Sequence, residues 1–240
     1  MREEIVVKMI QRLLAVCLAL TVFIGMSPMV SASTSRGFDD VHREHWFYHA
    51  VWSAQFRRIT NGISTDPPLF APNRAVTRAE FITMLGRTHE TEEFIGRTVT
   101  YDKSQNPYTD IVLTSFYTPY VLWATAYGIV QGDGHGNFRP NAPITREEMA
   151  VVIFNYINAF EFHDYFEDRG TLQYVDQDSI ATWGVEAVEW LSRHRIIRGS
   201  EVSDNLRSFR PMAHLTRAEA VTLLVRVSDA MGPQFTPTLD

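Results

Sequence analysis

The chain has 240 residues, with 22 lysines and arginines against 28 aspartates and glutamates, and its formal net charge is −6. A mildly acidic chain lacks the basic surface that binds nucleic acid or anionic lipid, so composition argues against both as partners. After residue 32 the only lysine is Lys103. Almost all positive charge is therefore arginine, the cation suited to forked binding of carboxylate or phosphate.

The first 32 residues read as a secretory signal peptide. Three basic residues precede an apolar run at 13–26, which is too short to span a bilayer comfortably. The segment PMVSA ends in small residues and predicts cleavage after Ala32, with an uncleaved N-terminal anchor as the alternative. The single cysteine, Cys17, lies inside this run, so we expect an exported chain without disulfides that depends on a packed core. No later apolar stretch is long enough to cross a membrane.

The rest of the chain repeats one pattern three times. Each copy has an aromatic residue two positions before an aspartate, a second aromatic six or seven positions later, and then Ile-x-x-Gly, Phe-x-Pro and Thr-Arg-x-Glu. The aspartates and second aromatics are Asp40 and Trp46, Asp110 and Phe116, and Asp176 and Trp183. We therefore predict three units at 37–90, 108–158 and 174–230, two linkers at 91–107 and 159–173, and a tail at 231–240.

Each unit is predicted to form two helices. Apolar residues recur at helical spacing before Ile-x-x-Gly, whose glycine suits a helix C-terminus, and again after Thr-Arg-x-Glu. The second helix is apolar over a broad face, so three such helices can bury those faces against one another. We expect an all-α, mainly helical fold with a central three-helix bundle, the first helices outside it as three lobes, and a few short β-pairs near the Phe-x-Pro loops.

The Thr-Arg-x-Glu segments predict a capping box at the start of each second helix. In a capping box the threonine hydroxyl accepts from the N3 amide, and the glutamate accepts from the N-cap amide. The three pairs are Thr77 with Glu80, Thr145 with Glu148, and Thr216 with Glu219.

The arginine inside each capping box needs a separate explanation. Arg78, Arg146 and Arg217 each stand at a helix N-terminus, where a cation opposes the macrodipole at a cost of about 0.3–1 kcal/mol. A compensating anion is therefore expected. It is either internal, an aspartate such as those that open the units, or external, a ligand anion held between the arginine and free first-turn amides.

This order of motifs resembles the S-layer homology family in its usual three-copy arrangement. The resemblance rests on Phe-x-Asp, the tryptophan, Ile-x-x-Gly, the segment GDGHGNFRPNAPITREE at 132–148, and TRAE at 77–80 and 216–219, and it covers about residues 37–230. It implies a pseudo-threefold fold with grooves between the lobes. It also implies that the grooves bind secondary cell-wall polysaccharide, often carrying a pyruvate ketal, and so hold exported proteins on the bacterial cell wall.

The resemblance also implies roles for individual residues. The arginines Arg78, Arg146 and Arg217 would clamp the pyruvate carboxylate, and Trp46 and Trp183 would pack near a sugar ring. Asp40, Asp110 and Asp176 would accept from sugar hydroxyls or orient the arginines. The backbone at Gly132 and Gly134 would approach the ligand closely.

The second unit departs from the family pattern, and the loops differ in length. Phe116 replaces the tryptophan, Glu147 adds a negative charge, and the loops before Phe-x-Pro are longer in the first and third units. We therefore expect unequal sites. Packing in the core is the alternative role for both tryptophans.

The sequence leaves three other functions open. Asp133, His135 and Asn137 alternate like calcium ligands, but a Gly-Asp-Asn turn explains them better, and the histidines at 42, 45 and 49 have no evident third ligand for zinc. We expect neither a metal nor a cofactor. No nucleophile or phosphate-loop motif is present, so we expect no catalysis, with a glycan hydrolase as the less favoured alternative. An adaptor that recruits another surface protein is the third alternative.

Overall fold

Each unit contributes two helices, and the mainly helical fold class is confirmed. The computed structural model describes residues 37–90, 100–203 and 206–232. The helices of these ranges are α1 (Tyr48–Phe56), α2 (Arg78–His89), α3 (Thr118–Ala126), α4 (Arg146–Ala159), α5 (Val185–Arg193) and α6 (Arg217–Met231). The predicted leader at 1–32, residues 91–99 of the first linker and residues 233–240 of the tail lie outside the described residues.

Two short hairpins precede Phe-x-Pro in the first and third units. Strand β1 (Ser64–Thr65) pairs antiparallel with β2 (Pro68–Leu69), and β3 (Ser200–Ser203) pairs antiparallel with β4 (Leu206–Ser208). The second unit has a shorter loop here, closed by one hydrogen bond of 2.9 Å from the amide of Asp133 to the carbonyl of Asn137. The longer loops of the first and third units therefore form the small β-pairs.

The first helix of each unit packs on the second helix of another unit. Helix α1 packs on α6, α3 packs on α2, and α5 packs on α4, while α2 also packs on α6. The faces in contact are apolar, with Leu85, Ile153 and Leu224 fully buried on the second helices. The core is therefore shared between units, and each lobe of the fold needs residues from two of them.

A closed ring of backbone hydrogen bonds joins the three segments just before the second helices. The amide of Val76 donates to the carbonyl of Leu215 (2.9 Å), Leu215 donates to Ile144 (3.1 Å), and Ile144 donates back to Val76 (3.1 Å). All three side chains are buried. The ring supports the predicted pseudo-threefold arrangement, because each unit has the same role in it.

The first helices end four residues earlier than expected, just before the Ile-x-x-Gly motif. The left-handed conformation that closes a helix belongs to Arg58, Gly128 and Arg195, at φ of 60°, 68° and 58°. The following isoleucine amide then donates back into the last turn, as Ile129 does to the carbonyl of Ala124 at 2.8 Å. The prediction that the glycine of Ile-x-x-Gly ends the helix is therefore wrong.

The glycine of Ile-x-x-Gly is instead required by packing. A Cβ on Gly132 would lie 2.7 Å from Cε1 of Tyr108 and 2.5 Å from the carbonyl oxygen of Asn137. A Cβ on Gly199 would lie equally close to Tyr174 and to the carbonyl of Ser208. The aromatic residue that opens each unit thus packs directly on this glycine.

The second linker is folded against the core. Residues Phe162–Tyr165 form a 3-10 turn, and Phe162 and Phe166 are buried. Within the described part of the chain, no helix is long and apolar enough to cross a membrane.

Candidate functional site

The aspartate that opens each unit holds the Phe-x-Pro segment of the same unit. Asp110 accepts the amide of Phe138 at 2.8 Å and the amide of Arg139 at 2.7 Å, one on each carboxylate oxygen. Asp40 and Asp176 make the same pair of bonds to their own segments. The middle residue of each segment has a left-handed backbone, at φ of 59° for Ala71, 62° for Arg139 and 56° for Arg210. The carboxylate thereby stabilises a bend that is unfavourable for residues other than glycine.

Each bend presents the phenylalanine carbonyl to an arginine of a different unit. The Nε atom of Arg78 donates to Phe138 (3.0 Å), that of Arg146 to Phe209 (2.7 Å), and that of Arg217 to Phe70 (2.8 Å). Each guanidinium also lies over the ring of the same phenylalanine, at 4.9, 5.5 and 4.9 Å from the centroid. This geometry is a cation–π contact between units.

The anion that compensates each arginine is the capping-box glutamate of another unit. Arg78 contacts Glu148 at 3.1 Å, Arg146 contacts Glu219 at 3.0 Å, and Arg217 lies 3.6 Å from Glu80. All three capping boxes are present, so each glutamate also accepts from its own N-cap amide. The internal partner is therefore a glutamate, and the expectation of an aspartate partner is wrong.

The first-turn amides of the second helices are already paired. Arg78, Arg146 and Arg217 donate their own amides to the carbonyls of Ala142, Ala213 and Arg74. The next amide in each helix donates to a proline carbonyl, and the third donates to the threonine of the capping box. The expectation that free amides receive an external anion is therefore wrong.

Two of these arginines are deeply buried, with residual exposures of 7% for Arg146 and 4% for Arg217. Burial lowers the pKa of both side chains, and the charges of Glu219 and Glu80 oppose that shift. Arginine side chains are effectively always protonated in proteins, so both remain cationic at neutral pH. These side chains act as charged links between units.

Acidification should weaken these links through Glu80. Burial alone would raise the pKa of Glu80, but hydrogen bonds from Arg74 and the Thr77 amide, together with the charges of Arg74 and Arg217, lower it below 4.5. The stabilisation is therefore present above the unfolded pKa and is lost as pH falls through the folded pKa. We expect the free energy of unfolding, measured by urea denaturation, to fall below about pH 4.5 more steeply in the wild type than in Glu80→Gln. Identical pH profiles would contradict this role.

Two cavities lie between the units, and each combines residues from all three. The Arg78 cavity, of about 390 Å³, is lined by Arg78 of the first unit, by Gly132 and Glu148 of the second, and by Trp183 of the third. The Arg146 cavity, of about 320 Å³, is lined by Trp46, by Arg146, and by Gly199 and Glu219. Both cavities therefore bring together the same four motif positions: the arginine of one unit, the glycine and glutamate of the next unit, and the tryptophan of the remaining unit. Spaces of this size are typical of small-ligand sites.

The tryptophans are exposed, so the alternative that they pack in the core is wrong. Trp46 is 66% exposed and Trp183 is 57% exposed, and Phe116, in the same position of the second unit, is 61% exposed. Neighbouring aromatic side chains support two of them, since Trp46 meets Phe47 edge-on and Phe116 meets Tyr117 edge-on. Each unit therefore exposes an aromatic side chain to solvent at this motif position.

The two loop glycines predicted to contact ligand lie in different surroundings. Gly132 lines the Arg78 cavity, where its backbone follows Gln131, whose carbonyl accepts from Arg78 at 3.1 Å. Gly134 lies in the turn after it, at φ of 80° with open space around it.

The DGHGN segment is a turn organised by Asp133. Its Oδ1 atom accepts the amide of His135 at 2.8 Å and the amide of Asn137 at 3.1 Å. The hydrogen bond from the His135 amide contributes most to lowering the pKa of Asp133, and hydrogen bonds from the side chain and the amide of Asn137 add to it. In the described ranges, no group of three His, Cys, Asp or Glu side chains is placed to hold a metal ion.

Sequence reasoning missed the arginines around the Arg146 cavity. Arg198, Arg207 and Arg226 line it together with Arg146, against the single carboxylate of Glu219. The Arg78 cavity is balanced, with Arg78 and Arg139 against Asp133 and Glu148. The available signal was a cation inside Ile-x-x-Gly, since Arg198 stands where the other units have Asn61 and Gln131. The two sites are therefore unequal in charge.

Comparison with known proteins identifies the repeated unit. Residues 107–150 and 173–221 match the family model of the S-layer homology domain. The chain is 29% identical over 197 residues to the amylopullulanase of Thermoanaerobacterium thermosulfurigenes, which covers 81% of this chain and 10% of that protein. It is 27% identical over 230 residues to an endoglucanase of Bacillus sp. (strain KSM-635), with coverage of 91% and 22%. It is 24% identical over 209 residues to the S-layer protein of Bacillus thuringiensis subsp. finitimus, with coverage of 87% and 23%.

The chain contains S-layer homology domains at 107–150 and 173–221, which confirms the resemblance seen in the sequence. It spans less than a quarter of the length of these three relatives. The S-layer homology domain is a non-catalytic module, and the repeats form a cell-surface anchoring module. The family match covers the second and third units. The assignment of 37–90 as a further copy stays a prediction, supported by the identical aspartate, arginine and capping-box contacts described above.

Proposed function

We propose that this chain binds secondary cell-wall polysaccharide in the cavities between its units and so anchors a surface protein to the bacterial wall. The observation that carries the proposal is the repeated composition of the Arg78 and Arg146 cavities. In each, an exposed tryptophan of one unit faces a polar, arginine-containing wall built by the other two. An exposed aromatic face beside hydrogen-bonding groups suits a sugar ring, which has an apolar face and a polar edge.

The proposed ligand carries a carboxylate, as a pyruvate ketal does. Arg78 and Arg146 each donate through Nε to a phenylalanine carbonyl and through Nη1 to a glutamate. The glutamate already serves as the counter-ion of each arginine. Arg198 is exposed and lines the Arg146 cavity together with Arg226. We therefore place the anionic group next to Arg198, with Arg146 shaping the wall behind it. The Arg146 cavity is proposed as the stronger anionic site.

The proposed role is binding rather than catalysis, at the cell surface outside the membrane. Relatives of this chain include proteins named for glycan hydrolysis and proteins named as S-layer proteins, and the shared module is common to both. An anchor would serve either kind of protein. The proposed cargo is therefore another surface protein or further sequence attached to the same module. Steady release of product from chromogenic glycans would contradict a pure binding role.

The test is sedimentation with cell-wall sacculi, before and after acid extraction of the secondary polymer. We expect the chain, expressed from residue 33, to pellet only with unextracted walls. Equal pelleting with extracted walls would overturn the proposal, because it would indicate binding to peptidoglycan or nonspecific adhesion. Substitution of Arg78, Arg146 or Arg217 by alanine is a poor probe here, because each arginine also links two units.

The tryptophans give the cleaner variants. Trp46→Ala and Trp183→Ala remove exposed side chains, so we expect both to fold normally and to bind walls about thirtyfold more weakly, since a central aromatic contributes about 2 kcal/mol at a binding site. Trp52→Ala is the matched control, because Trp52 stacks on Phe56 and lines neither cavity. Circular dichroism checks the fold of each variant. Unchanged wall binding by the double variant Trp46→Ala/Trp183→Ala would exclude the cavities as the site.

A further inference from the structure

A cleft formed almost entirely by arginines adjoins the Arg146 cavity on the third unit. It measures about 300 Å³ and is lined by Arg169, Leu172, Arg195, Arg198 and Arg207. We call this space the arginine cleft. Arg198 and Arg207 also line the Arg146 cavity, so the two spaces share a wall.

The positive surface continues beyond the arginine cleft. A further space of about 350 Å³ is lined by Arg169, Arg195, Arg198 and Arg226, together with the carboxylates of Glu167 and Asp229. Arg198 therefore borders three consecutive cavities, and five arginines follow one path from the Arg146 cavity to the second linker. The acidic net charge of the whole chain makes this concentration of one sign unusual for its surface.

Neutral groups hold two of these side chains in place. Arg195 donates through Nη1 to the carbonyls of Gly170 and Ser192, which fixes it between α5 and the second linker. Arg207 donates to the carbonyl of Arg198 at 3.1 Å across the β3–β4 hairpin. Carbonyl acceptors orient a guanidinium and leave its charge in place.

The nearby carboxylates match only part of this charge. Glu167 pairs with Arg169 at 3.0 Å in an exposed contact, and Asp229 pairs with Arg57 at 2.7 Å. Glu201 faces Arg207 in the hairpin register. Burial and the like charge of Arg198 both lower the pKa of Arg226, so these cations stand close enough to repel one another. A bound anion would relieve that repulsion.

We propose that the arginine cleft is an oxyanion subsite that binds a second phosphate or carboxylate of the wall polymer, one step along the glycan from the Arg146 cavity. Contiguous cavities with arginines throughout fit a polymer that repeats its charge along the chain, rather than one that carries a single charged sugar. The identity of the polymer rests on the proposed function, whereas the anion site depends only on the arginines.

Two defined probes test the subsite by isothermal titration of the chain from residue 33. Tripolyphosphate carries phosphate oxyanions and trigalacturonic acid carries carboxylates, so the probe that binds identifies the chemistry. We expect one-to-one binding of at least one of them. Arg198→Gln, Arg207→Gln and Arg169→Gln should each weaken it about tenfold, the effect of losing one charge-assisted contact. Arg169 lines the arginine cleft but not the Arg146 cavity, so full affinity in Arg169→Gln would place the probe in the Arg146 cavity instead and overturn the subsite. The matched control is Arg43→Gln, the same charge change on an exposed arginine of the first unit, which should leave the affinity unchanged.

Failure of this subsite is distinguishable from failure of the wall-binding proposal. If neither probe binds, or if Arg43→Gln weakens binding as much as Arg198→Gln, the arginine cleft is not a specific subsite. If the probes bind as expected while sacculi do not pellet the chain, the subsite stands and the wall polymer is excluded as its ligand. If sacculi bind Arg198→Gln and the wild type equally at every salt concentration, the cleft has no part in wall binding.

Discussion

Replacing Arg217 by alanine should lower the free energy of unfolding by about 3 kcal/mol, the usual cost of breaking a buried ion pair. The side chain is almost fully buried and joins the third unit to the first through the carbonyl of Phe70, the ring of the same residue and the carboxylate of Glu80. Its loss leaves the carbonyl of Phe70 without this donor and removes one of the two cations that pair with Glu80, the other being Arg74. Thermal denaturation should show a midpoint about 6–12 °C lower.

A double-mutant cycle separates the ion pair from the other contacts of Arg217. Glu80→Gln keeps an acceptor for the capping box and removes the charge, so Arg217→Ala and Glu80→Gln should be non-additive by about 0.5 kcal/mol or more. Arg43→Ala, on an exposed side chain, should leave the unfolding free energy within about 0.5 kcal/mol of the wild type. A loss of under about 1 kcal/mol for Arg217→Ala would show that the link carries little stability.

Asp176→Ala should cost about 3 kcal/mol by leaving the Phe-x-Pro bend of the third unit without its acceptor. The carboxylate accepts from the amides of Phe209 and Arg210 at 2.8 and 2.7 Å and from the hydroxyl of Ser208 at 2.8 Å. Phe209 is fully buried, and a bond to a charged acceptor is typically worth about 1.5–3 kcal/mol. Urea denaturation at neutral pH measures the loss.

Two control variants accompany this prediction, one at the nearby Asp178 and one at Asp176 itself. Asp178→Ala removes an exposed carboxylate from the 3-10 turn Gln177–Ser179 and should be nearly neutral. Asp176→Asn keeps one acceptor oxygen and replaces the other with a donor that meets an amide, so it should rescue little of the loss. Equal stability of Asp176→Asn and the wild type would show that the carboxylate charge is not needed.

Local pattern was enough to place the helices and their caps. Apolar spacing located both helices of each unit, and the Thr-Arg-x-Glu segments located three capping boxes, because these features depend on residues within one turn of each other. The repeated pattern also pointed to the aromatics at 46 and 183, although their exposure could not be decided from sequence.

The residues that pair with the arginines could not be predicted from the local sequence pattern. Arg217 and Phe70 are 147 positions apart, and which unit follows which around the core depends on the topology rather than on any one motif. The capping box fully explains the glutamate at this position of the motif. Its second role, as the counter-ion of an arginine in another unit, therefore adds no further signal to the sequence.

Left-handed backbone at residues other than glycine was equally hidden. Arg58 and Arg195 end their helices with positive φ, and the clue was the glycine at the same position in the second unit, Gly128. Arg139 and Arg210 adopt this conformation because an aspartate about thirty residues earlier binds the amides beside it. A tertiary contact there overrides the intrinsic preference of the residue.

The ring of three backbone hydrogen bonds has a consequence for how the protein melts and assembles. A fragment of two units leaves one donor and one acceptor of the ring unpaired and exposes the apolar face of a helix whose cover belongs to the missing unit. The units should therefore unfold together in a single cooperative transition, unlike open-ended repeat arrays that fray from their ends. Contacts between residue 76 and residue 215 also require closure across most of the folded chain, so refolding should be slow for a protein so rich in helix.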